Sequence, residues 1–195
     1  GGTVKKTALN LFSRPRASGI IAIDLRNDDR LVDVAITDGE REIVLVASSG
    51  KAIHFKEKDV RPMGRGAAGV RGIRLTAEHE VIALCVVSDG LLLSATENGY
   101  GKRTSVDEFP IQRRGGQGVI AIQTSARNGR MVGALQVRKD DEIMLISSNG
   151  TLVRTPISEI SIIGRNTQGV RLIRMKPDQR LVGLARIAAI EDKED

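Results

Sequence analysis

The sequence predicts an all-β protein built as a propeller-like array of about four blades. Two series of glycines recur about every 50 residues, and each period holds short segments rich in Val, Ile and Leu. Turn dipeptides separate these segments: Asp-Gly at 38–39 and 89–90, and Asn-Gly at 98–99, 128–129 and 149–150. A period of this length with four short strands is typical of the larger propeller blades.

The first glycine series stands before the second strand of each repeat. Its members, separated by 50, 49 and 51 residues, are Gly19, Gly69, Gly118 and Gly169. The predicted second strands are IIAIDL (20–25), VRGIRL (70–75), VIAIQT (119–124) and VRLIRM (170–175). The second series opens the first strand of each repeat, in steps of 48, 49 and 51 residues: Gly2, Gly50, Gly99 and Gly150.

The third repeat shows the predicted strand set most clearly. Its strands are expected at about 100–105, 119–124, 131–137 and 143–147. At most one helical turn is expected at SVDEF (105–109) or ISEIS (157–161). Second strands such as VIAI and VRLI are largely apolar on both faces, as expected where neighbouring blades cover both sides.

The repeats are assigned to one domain, residues 1–190, with an acidic tail starting at 191–195. The repeat boundaries are about 1–49, 50–98, 99–149 and 150–190. The turns SSG, ENG and SNG join the last strand of one repeat to the first strand of the next, so the hairpin partner of Gly2–Thr7 is expected to precede residue 1. The fourth repeat ends after LVGLARI (181–187) without a fourth strand. We therefore expect the chain to be part of a longer array.

The composition favours a cytoplasmic globular protein. Hydrophobic residues make up 41% of the chain, and runs such as VIALCVV (81–87) are too short to span a bilayer. No secretory signal opens the sequence. The single cysteine, Cys85, is predicted to be a small buried hydrophobe.

The charge balance indicates a polyanionic partner. The net charge is +6, and since the last five residues, EDKED, contribute −3, the first 190 residues carry +9. Aromatic residues are only Phe12, Phe55, Tyr100 and Phe109. So few aromatic rings argue against a base-stacking platform for single-stranded nucleic acid.

Arginine recurs in the longest loop of each repeat, which joins the first strand to the second. The last seven residues of this loop read SRPRASG (13–19), MGRGAAG (63–69), QRRGGQG (112–118) and IGRNTQG (163–169). Each copy has Arg at its second or third position. The first strand adds a cation at one register, as Lys6, Arg103 and Arg154, with His54 in the remaining copy.

Arginines on glycine-rich loops suit phosphate binding, because guanidinium groups form two parallel hydrogen bonds and glycine lets backbone amides approach closely. The predicted DNA-contacting residues are Gln112, Arg113, Arg114, Gly115, Gly116, Gly118, Lys102, Arg103, Arg65, Arg71, Arg165, Arg14, Arg16, Lys6 and Arg154. The alternative is that these arginines are solvated and pair with Asp59, Asp107 or Glu108. Recurrence in four aligned loops favours phosphate binding.

The sequence predicts no catalytic residues, metal site or cofactor. GRGAAG (64–69) fits a dinucleotide-binding pattern but precedes a strand rather than a helix. His54, His79 and Cys85 have no zinc-site spacing. The acidic pairs Asp28-Asp29 and Asp140-Asp141 fall in turns and are predicted to be solvated.

The blade sequences resemble the C-terminal domains of the GyrA subunit of DNA gyrase over essentially the whole chain. The resemblance is carried by NGYGKRTSVDEFP (98–110), GVRGIRL (69–75), EISIIGRNTQGVRLIR (159–174) and QRRGGQG (112–118), which matches the family's seven-residue box. It implies about four blades of a six-bladed β-pinwheel whose basic perimeter wraps duplex DNA. The wrap presents a crossing DNA segment, so that strand passage by the rest of an ATP-dependent type II topoisomerase introduces negative supercoils.

The resemblance also implies partners and roles. The partners would be the remainder of GyrA and the second gyrase subunit, GyrB. The protein would be cytoplasmic and associated with the nucleoid. The catalytic tyrosine of the family belongs to another domain, so Tyr100 is expected to make a structural or DNA-edge contact. Gln117 stands where the box has Lys or Arg, and the box here lies in the third repeat rather than in the first blade. QRRGGQG is therefore expected to be a second, box-like loop.

Two other functions stay open at this point. One is the C-terminal domain of topoisomerase IV, whose sequences usually lack a clear box. The other is a propeller that docks acidic proteins, which would require exposed aromatic and methionine anchors that are scarce in this sequence.

Overall fold

The computed structural model describes residues 1–26, 29–76 and 78–189, and regular structure in these ranges is β-strand or short 3₁₀ helix. The strands are β1 (Thr3–Val4), β2 (Glu42–Ala47), β3 (Lys51–Lys56), β4 (Val70–Arg71), β5 (Val81–Val86), β6 (Leu91–Thr96), β7 (Tyr100–Ser105), β8 (Val119–Ile120), β9 (Met131–Val137), β10 (Glu142–Ser147), β11 (Leu152–Pro156), β12 (Val170–Arg171) and β13 (Leu181–Ile187). The predicted all-β class is confirmed. No helix within the described ranges is long and apolar enough to cross a membrane.

Short 3₁₀ helices follow the first strand of each repeat. Their bounds are Leu9–Phe12, Glu57–Asp59, Val106–Glu108 and Ile157–Glu159. The last two lie inside the segments predicted to form a helical turn. At Val106–Glu108 the hydroxyl of Ser105 accepts a hydrogen bond from the backbone N–H of Asp107 at 3.3 Å, which caps the turn.

Antiparallel hairpins form the centre of each blade, as the turns SSG, ENG and SNG predict. The hairpins are β2–β3, β6–β7 and β10–β11. Gly50, in the first of these turns, has φ +81°, and a Cβ there would lie 2.3 Å from the carbonyl oxygen of Ile122. Only glycine fits this turn, because both the left-handed backbone and the close approach of the next repeat exclude a side chain.

Each complete blade draws its strands from three consecutive repeats. One four-stranded sheet has the order β5-β2-β3-β8, and the other has the order β12-β7-β6-β9. The hairpin β2–β3 bridges the first and second repeats, β5 lies in the second, and β8 comes from the third. The sequence predicts four strands per period, but it does not show that the outer strand is exchanged between neighbouring blades.

The second strands are shorter than predicted, and one is absent. Of residues 119–124 only Val119–Ile120 form a strand, because the chain bends at Ala121 and Ile122 and buries both side chains between blades. The prediction for residues 20–25 is wrong. Each observed second strand pairs with the first strand of the preceding repeat, and residues 20–25 have no such strand within this chain.

The core lies between blades rather than inside one of them. One cluster joins Val44 of β2, Leu92 of β6, Phe109 and Ile122, so that residues of three repeats share it. Cys85 belongs to this cluster, and burial raises the pKa of its thiol to about 12, which agrees with the prediction of a buried hydrophobe. Packing on both faces explains why these strands read as continuous apolar runs.

Candidate nucleic-acid interface

The arginine loops stand at equivalent places in successive blades because the backbone fixes their first residues. The N–H of Met63 donates to the carbonyl of Lys6 at 2.8 Å, and the N–H of Gln112 donates to the carbonyl of His54 at 2.7 Å. The same bond joins Ile163 to Arg103 at 2.9 Å. The loops 63–69, 112–118 and 163–169 are therefore anchored on the first strand of the preceding repeat.

The glycine that ends each loop adopts a left-handed conformation. The φ angles are +80° at Gly19, +104° at Gly69, +70° at Gly118 and +79° at Gly169. At Gly118 a Cβ would lie 2.3 Å from the carbonyl oxygen of Ala52. Each glycine of the series therefore ends its loop in a left-handed turn, and Gly69, Gly118 and Gly169 also pack tightly against the preceding repeat.

The third loop position carries an arginine with the same contact in three repeats. Arg65, Arg114 and Arg165, which we call the brace arginines, each donate from Nη1 to a backbone carbonyl of the preceding second-strand segment. The acceptors are Ile21 at 2.9 Å, Arg71 at 3.0 Å and Ile120 at 3.2 Å, respectively. These guanidinium groups therefore hold neighbouring repeats together, in addition to any contact that they make with a ligand.

Backbone hydrogen bonds repeat at the same three junctions between repeats. The N–H of Asp24 donates to Ala67 at 3.3 Å in the first junction, and the N–H of Arg74 donates to Gly116 at 2.7 Å in the second. In the third junction the N–H of Gln123 donates to the carbonyl of Thr167 at 2.9 Å. The three junctions thus share one backbone frame, and their side chains can be compared position by position.

Arg113, at the second position of loop 112–118, points into solvent. It is exposed and forms no hydrogen bond or ion pair through its side chain within the described ranges. Its neighbour Arg114 is half-buried, and its Nε also donates to the backbone carbonyl of Asp59 at 2.7 Å. The two adjacent arginines therefore differ. The guanidinium of Arg113 can bind a ligand through all its donors, whereas two nitrogens of Arg114 already donate to backbone carbonyls.

The three carboxylates suggested as loop partners form no ion pair with the loop arginines in the described part of the chain. Asp59 offers only its backbone carbonyl to Arg114, and Asp107 bonds with Ser105. Glu108 accepts from the backbone N–H of Arg165 at 2.9 Å rather than from the guanidinium. The alternative in which acidic side chains neutralise these loops is therefore not what the structure shows.

Lys102 lies in the interior, contrary to its predicted place at the DNA surface. It is fully buried, and its Nζ donates to the carbonyls of Gly164 and Arg165, each at 2.5 Å, and to Oγ1 of Thr167 at 3.0 Å. Burial lowers the pKa of Lys102 to about 8, with a smaller lowering from Arg165 and an opposing effect of Glu108. Lys102 holds loop 163–169 from beneath and cannot reach a phosphate in this structure.

Lys5 holds loop 63–69 in the same way, although it was not among the residues predicted to matter. Its Nζ donates to the carbonyl of Ala22 at 2.7 Å and to that of Arg65. Burial and the nearby guanidinium of Arg65 lower the pKa of Lys5. The available signal was its alignment with Lys102 in the repeat. Loop 112–118 differs from the other two, because the equivalent residue beneath it is Ile53, which Gly116 approaches.

The predicted first-strand cations also point inward. Arg103 is 6% exposed, and its Nε donates to the carbonyl of Ile160 at 2.7 Å. Lys6 donates to the carbonyl of Glu57 at 3.1 Å, with the Glu57 carboxylate 3.7 Å away. Both side chains bind the 3₁₀ segment of the next repeat, so the structure makes them inter-repeat contacts rather than surface cations.

Arg154 is exposed but occupied by an acidic partner. Both its Nε and Nη2 donate to Glu142, with Nε at 2.8 Å. This hydrogen-bonded ion pair raises the pKa of Arg154. His54 makes the equivalent cross-strand contact with Glu42 at 3.0 Å. A carboxylate in direct contact makes Arg154 a weaker candidate for phosphate binding than an unpaired arginine.

The remaining predicted residues lie at the surface. Arg14 and Arg16 are exposed in loop 13–19, and Arg71 is exposed on β4. Loop 112–118 approaches Arg71 closely, because the N–H of Gly115 donates to the carbonyl of Gly72 at 2.6 Å. The structure therefore brings Arg71, Arg113 and Arg114 together, and it also places Arg74, which was not among the predicted residues, beside Gly116.

Tyr100 is a structural residue in this fold. Its hydroxyl accepts a hydrogen bond from Nη2 of Arg171 at 2.8 Å, which lowers the pKa of the phenol. The guanidinium carbons of Arg127 and Arg171 lie 4.9 and 5.3 Å from the ring centroid. The residue is 6% exposed, which fits the expected structural contact.

The prediction that the acidic pairs in the turns are solvated holds for only some of their residues. Asp140 is exposed as expected, but Asp141 is buried and accepts from Arg186 at 2.7 Å. Asp29 binds the N-terminal ammonium at 2.7 Å. Asp28 and the tail 191–195 lie outside the described residues. The GRGAAG segment (64–69) leads into β4 and not into a helix, so its glycines serve a loop.

Comparison with known sequences places the chain among bacterial topoisomerase domains. The family described as "DNA gyrase C-terminal domain, beta-propeller" matches residues 1–38, 41–88, 90–138 and 141–188. The GyrA subunit of DNA gyrase from Salmonella typhimurium is 53% identical over 195 residues, covering 100% of this chain and 22% of that protein. Its Pseudomonas aeruginosa counterpart is 54% identical over 187 residues, covering 95% and 20%. The chain thus spans 20–22% of the length of these relatives.

Two solved structures share the fold at modest identity. The crystal structure of the C-terminal domain of DNA topoisomerase IV has a TM-score of 0.90 and 28% identity, covering 95% of this chain and 59% of that one. The structure of the DNA gyrase A C-terminal domain has a TM-score of 0.85 and 26% identity, covering 96% and 63%. The blade arrangement described above is therefore shared with both kinds of domain.

Proposed function

This chain belongs to the family of DNA gyrase C-terminal β-propeller domains, and from that premise we propose that it binds the phosphate backbone of duplex DNA and bends the duplex around its blades. The observation that carries the proposal is Arg113: an exposed guanidinium without a partner among the described residues, on a loop whose base is fixed by backbone hydrogen bonds. Unpaired guanidinium groups on rigid supports suit bidentate binding of phosphate oxygens.

The proposed contact set keeps those predicted residues that reach the surface. It comprises Arg14, Arg16, Arg65, Arg71, Gln112, Arg113, Arg114 and Arg165, with Gly115, Gly116 and Gly118 admitting the backbone of the ligand. Lys102 supports loop 163–169 from beneath, Lys6 and Arg103 bind the 3₁₀ segments of the next repeats, and Arg154 is paired with Glu142. Contacts of this kind hold the backbone without reading bases, so binding is expected to be largely independent of sequence.

In the larger protein, the bent duplex would serve strand passage. We propose that residues 1–190 form one non-catalytic wrapping domain of a GyrA subunit. Together with the remainder of GyrA, and with GyrB, it would direct ATP-dependent negative supercoiling at the nucleoid in the cytoplasm. The 53% identity to a GyrA protein over the whole chain favours this assignment over a topoisomerase IV domain. Bending a site of 20–30 base pairs by 40–90° costs roughly 1–6 kcal/mol, which many phosphate contacts can offset.

The affinity for duplexes of increasing length, measured against salt concentration, tests the proposal. Counterion release predicts that log K falls with log[salt] by about 0.9 for each phosphate neutralised. Arg113→Ala is expected to reduce this slope by about one unit and to leave the free energy of unfolding within about 0.5 kcal/mol, because its guanidinium bonds to no described residue.

Arg114→Ala is the matched comparison one residue away. It is expected to lower the thermal midpoint as well as the affinity, because two backbone carbonyls lose their donor. A chain that binds no duplex at low salt would overturn the DNA-binding proposal. Binding with no change in energy transfer between the two labelled ends of a duplex would overturn bending alone.

A further inference from the structure

We propose that the DNA path on this chain is uneven, and that its main phosphate site is the second junction, formed by Arg71, Arg74, Arg113 and Arg114. This inference rests on the proposed function. It replaces equivalent loops at the three junctions by one strong anion site with two weak neighbours, and it adds Arg74 to the contact set.

The three junctions can be compared because each repeats the same backbone bonds. Four positions face each junction: the second and fifth residues of the preceding second-strand segment after its glycine, and the second and third residues of the loop. In the first junction these positions hold Ile21, Asp24, Gly64 and Arg65. In the second they hold Arg71, Arg74, Arg113 and Arg114. In the third they hold Ile120, Gln123, Gly164 and Arg165.

The formal charges of these four positions are 0, +4 and +1, respectively. The three junctions therefore share one backbone arrangement but differ strongly in the positive charge that they present to an anion. Four guanidinium groups repel one another, and no protein contact in the described ranges compensates this repulsion with a carboxylate. An uncompensated cluster of this kind favours a polyanionic ligand.

The four side chains are available to such a ligand. Arg71, Arg74 and Arg113 are exposed and bond to no described residue through their guanidinium groups. Arg114 uses Nε and Nη1 for carbonyls and keeps Nη2 for a ligand. The acidic residue at this junction, Asp59, contacts Arg114 only through its backbone carbonyl.

At each outer junction a carboxylate is hydrogen-bonded and a lysine lies beneath the loop, whereas at the second junction the carboxylate of Asp59 forms no ion pair with the four arginines in the described ranges and Ile53 lies beneath the loop. At the first junction the carboxylate of Asp24 pairs with Arg26 at 3.0 Å. At the third, the carboxylate of Glu108 binds the loop backbone at Arg165. A lysine lies beneath each of these loops, Lys5 or Lys102, and its ammonium donates to at least one oxygen of the loop. These ammonium groups are engaged in hydrogen bonds within the protein, and Lys102 is also fully buried.

The loop of the second junction also lies close to the preceding strand. A Cβ at Gly115 would lie 3.4 Å from the carbonyl oxygen of Arg71 and 3.9 Å from its Cβ and Cγ. These are ordinary van der Waals distances, and the hydrogen bond from the N–H of Gly115 to the carbonyl of Gly72 holds the loop against that strand. Guanidinium groups from two consecutive repeats can therefore bind neighbouring phosphates of one duplex strand.

Paired double variants of the whole chain, measured with one duplex across a salt series, test this inference. Arg71→Ala with Arg74→Ala is expected to reduce the slope of log K against log[salt] by about one to two units. Arg65→Ala with Arg165→Ala, which removes two charges from the outer junctions, is expected to change the slope by less than about half a unit. Arg71→Lys with Arg74→Lys should keep the slope, because both charges remain.

The controls separate this inference from the proposed function. Lys139→Ala with Lys176→Ala removes two exposed cations that are not among the junction positions and should leave the slope unchanged. Circular dichroism and a thermal melt establish that each variant is folded. Equal losses from the second-junction pair and from the outer pair would overturn the uneven path and leave DNA binding standing. A wild-type chain that does not bind duplex would overturn both.

Discussion

Arg113 and Arg114 are adjacent in the sequence, and their environments assign them different tasks. Arg114 donates to the carbonyls of Asp59 and Arg71, so its position is set by the fold. Arg113 has no such contact with the described residues and keeps its full donor set for a ligand. Because the brace contact recurs in Arg65 and Arg165, the third loop position is structural first, and the second position is where binding strength is expected to vary between repeats.

The buried ammonium group of Lys102 is expected to make the free energy of unfolding depend on pH. Its pKa of about 8 in the folded protein lies below the usual 10.5, so between these pH values the unfolded chain holds more protons. The free energy of unfolding is therefore expected to rise with pH across this window. Allowing for screening by solvent, the contribution is on the order of 1–2 kcal/mol.

Lys102→Met is expected to remove that rise, as measured by urea denaturation at several pH values between about 8 and 10. The comparison must be made between the two proteins, because other groups titrate in the same range. Cys85, whose pKa is raised from 9.0 to about 12, works in the opposite direction above pH 9. Parallel pH profiles for the two proteins would show that the buried ammonium of Lys102 does not control this dependence.

At the scale of the loop, glycine conformation and close packing can be separated experimentally. Gly118 has φ +70°, and a Cβ there would lie 2.3 Å from the carbonyl oxygen of Ala52. Gly19 ends the first loop with φ +80°, but a Cβ there would meet nothing within 4 Å. Gly118→Ala is expected to lower the free energy of unfolding by more than about 2 kcal/mol, and Gly19→Ala by about 1 kcal/mol.

Chemical denaturation of the two glycine variants measures both values against wild type. The backbone strain is common to them, so the difference reports the contact with the preceding repeat. If both variants lose the same stability, the inter-repeat contact at Gly118 contributes nothing beyond backbone conformation.

Some strands and contacts of this fold could be predicted from the sequence, and others could not. The glycine series and hairpin turns predicted β7, β9 and β10 closely, because local turn chemistry and apolar runs determine them. The exchange of β8 into the preceding blade was not predictable from one repeat, since it depends on a long-range pairing with Lys51 and Ala52. Likewise, nothing local distinguishes the buried Lys102 from a surface lysine; its burial follows from the loop of the next repeat that covers it.

For the molecule as a whole, strand exchange couples the blades. The N–H groups of Ala121 and Ile122, in the third repeat, donate to the carbonyl of Gly50 at 2.8 and 3.1 Å. The hairpin β2–β3 cannot lose its outer strand without disturbing the chain that leads to β9. Repeat arrays often unfold in steps because each unit contacts only its neighbours. Here each complete blade contains strands from three repeats, so we expect the described blades to unfold together.

Ile122→Ala tests this coupling from a single buried side chain. Ile122 is 1% exposed and packs with Val44, Leu92 and Phe109, so its truncation is expected to cost about 2–4 kcal/mol. Ile111→Ala, at a side chain that is 50% exposed, is the matched control, and its free energy of unfolding should stay within about 0.5 kcal/mol of wild type.

Hydrogen exchange followed by mass spectrometry should show peptides from β2–β3 and β9–β10 losing protection at the same denaturant concentration. Earlier loss of protection in the peptides of one region than in those of the other would mean that the exchanged strand does not make the blades one cooperative unit.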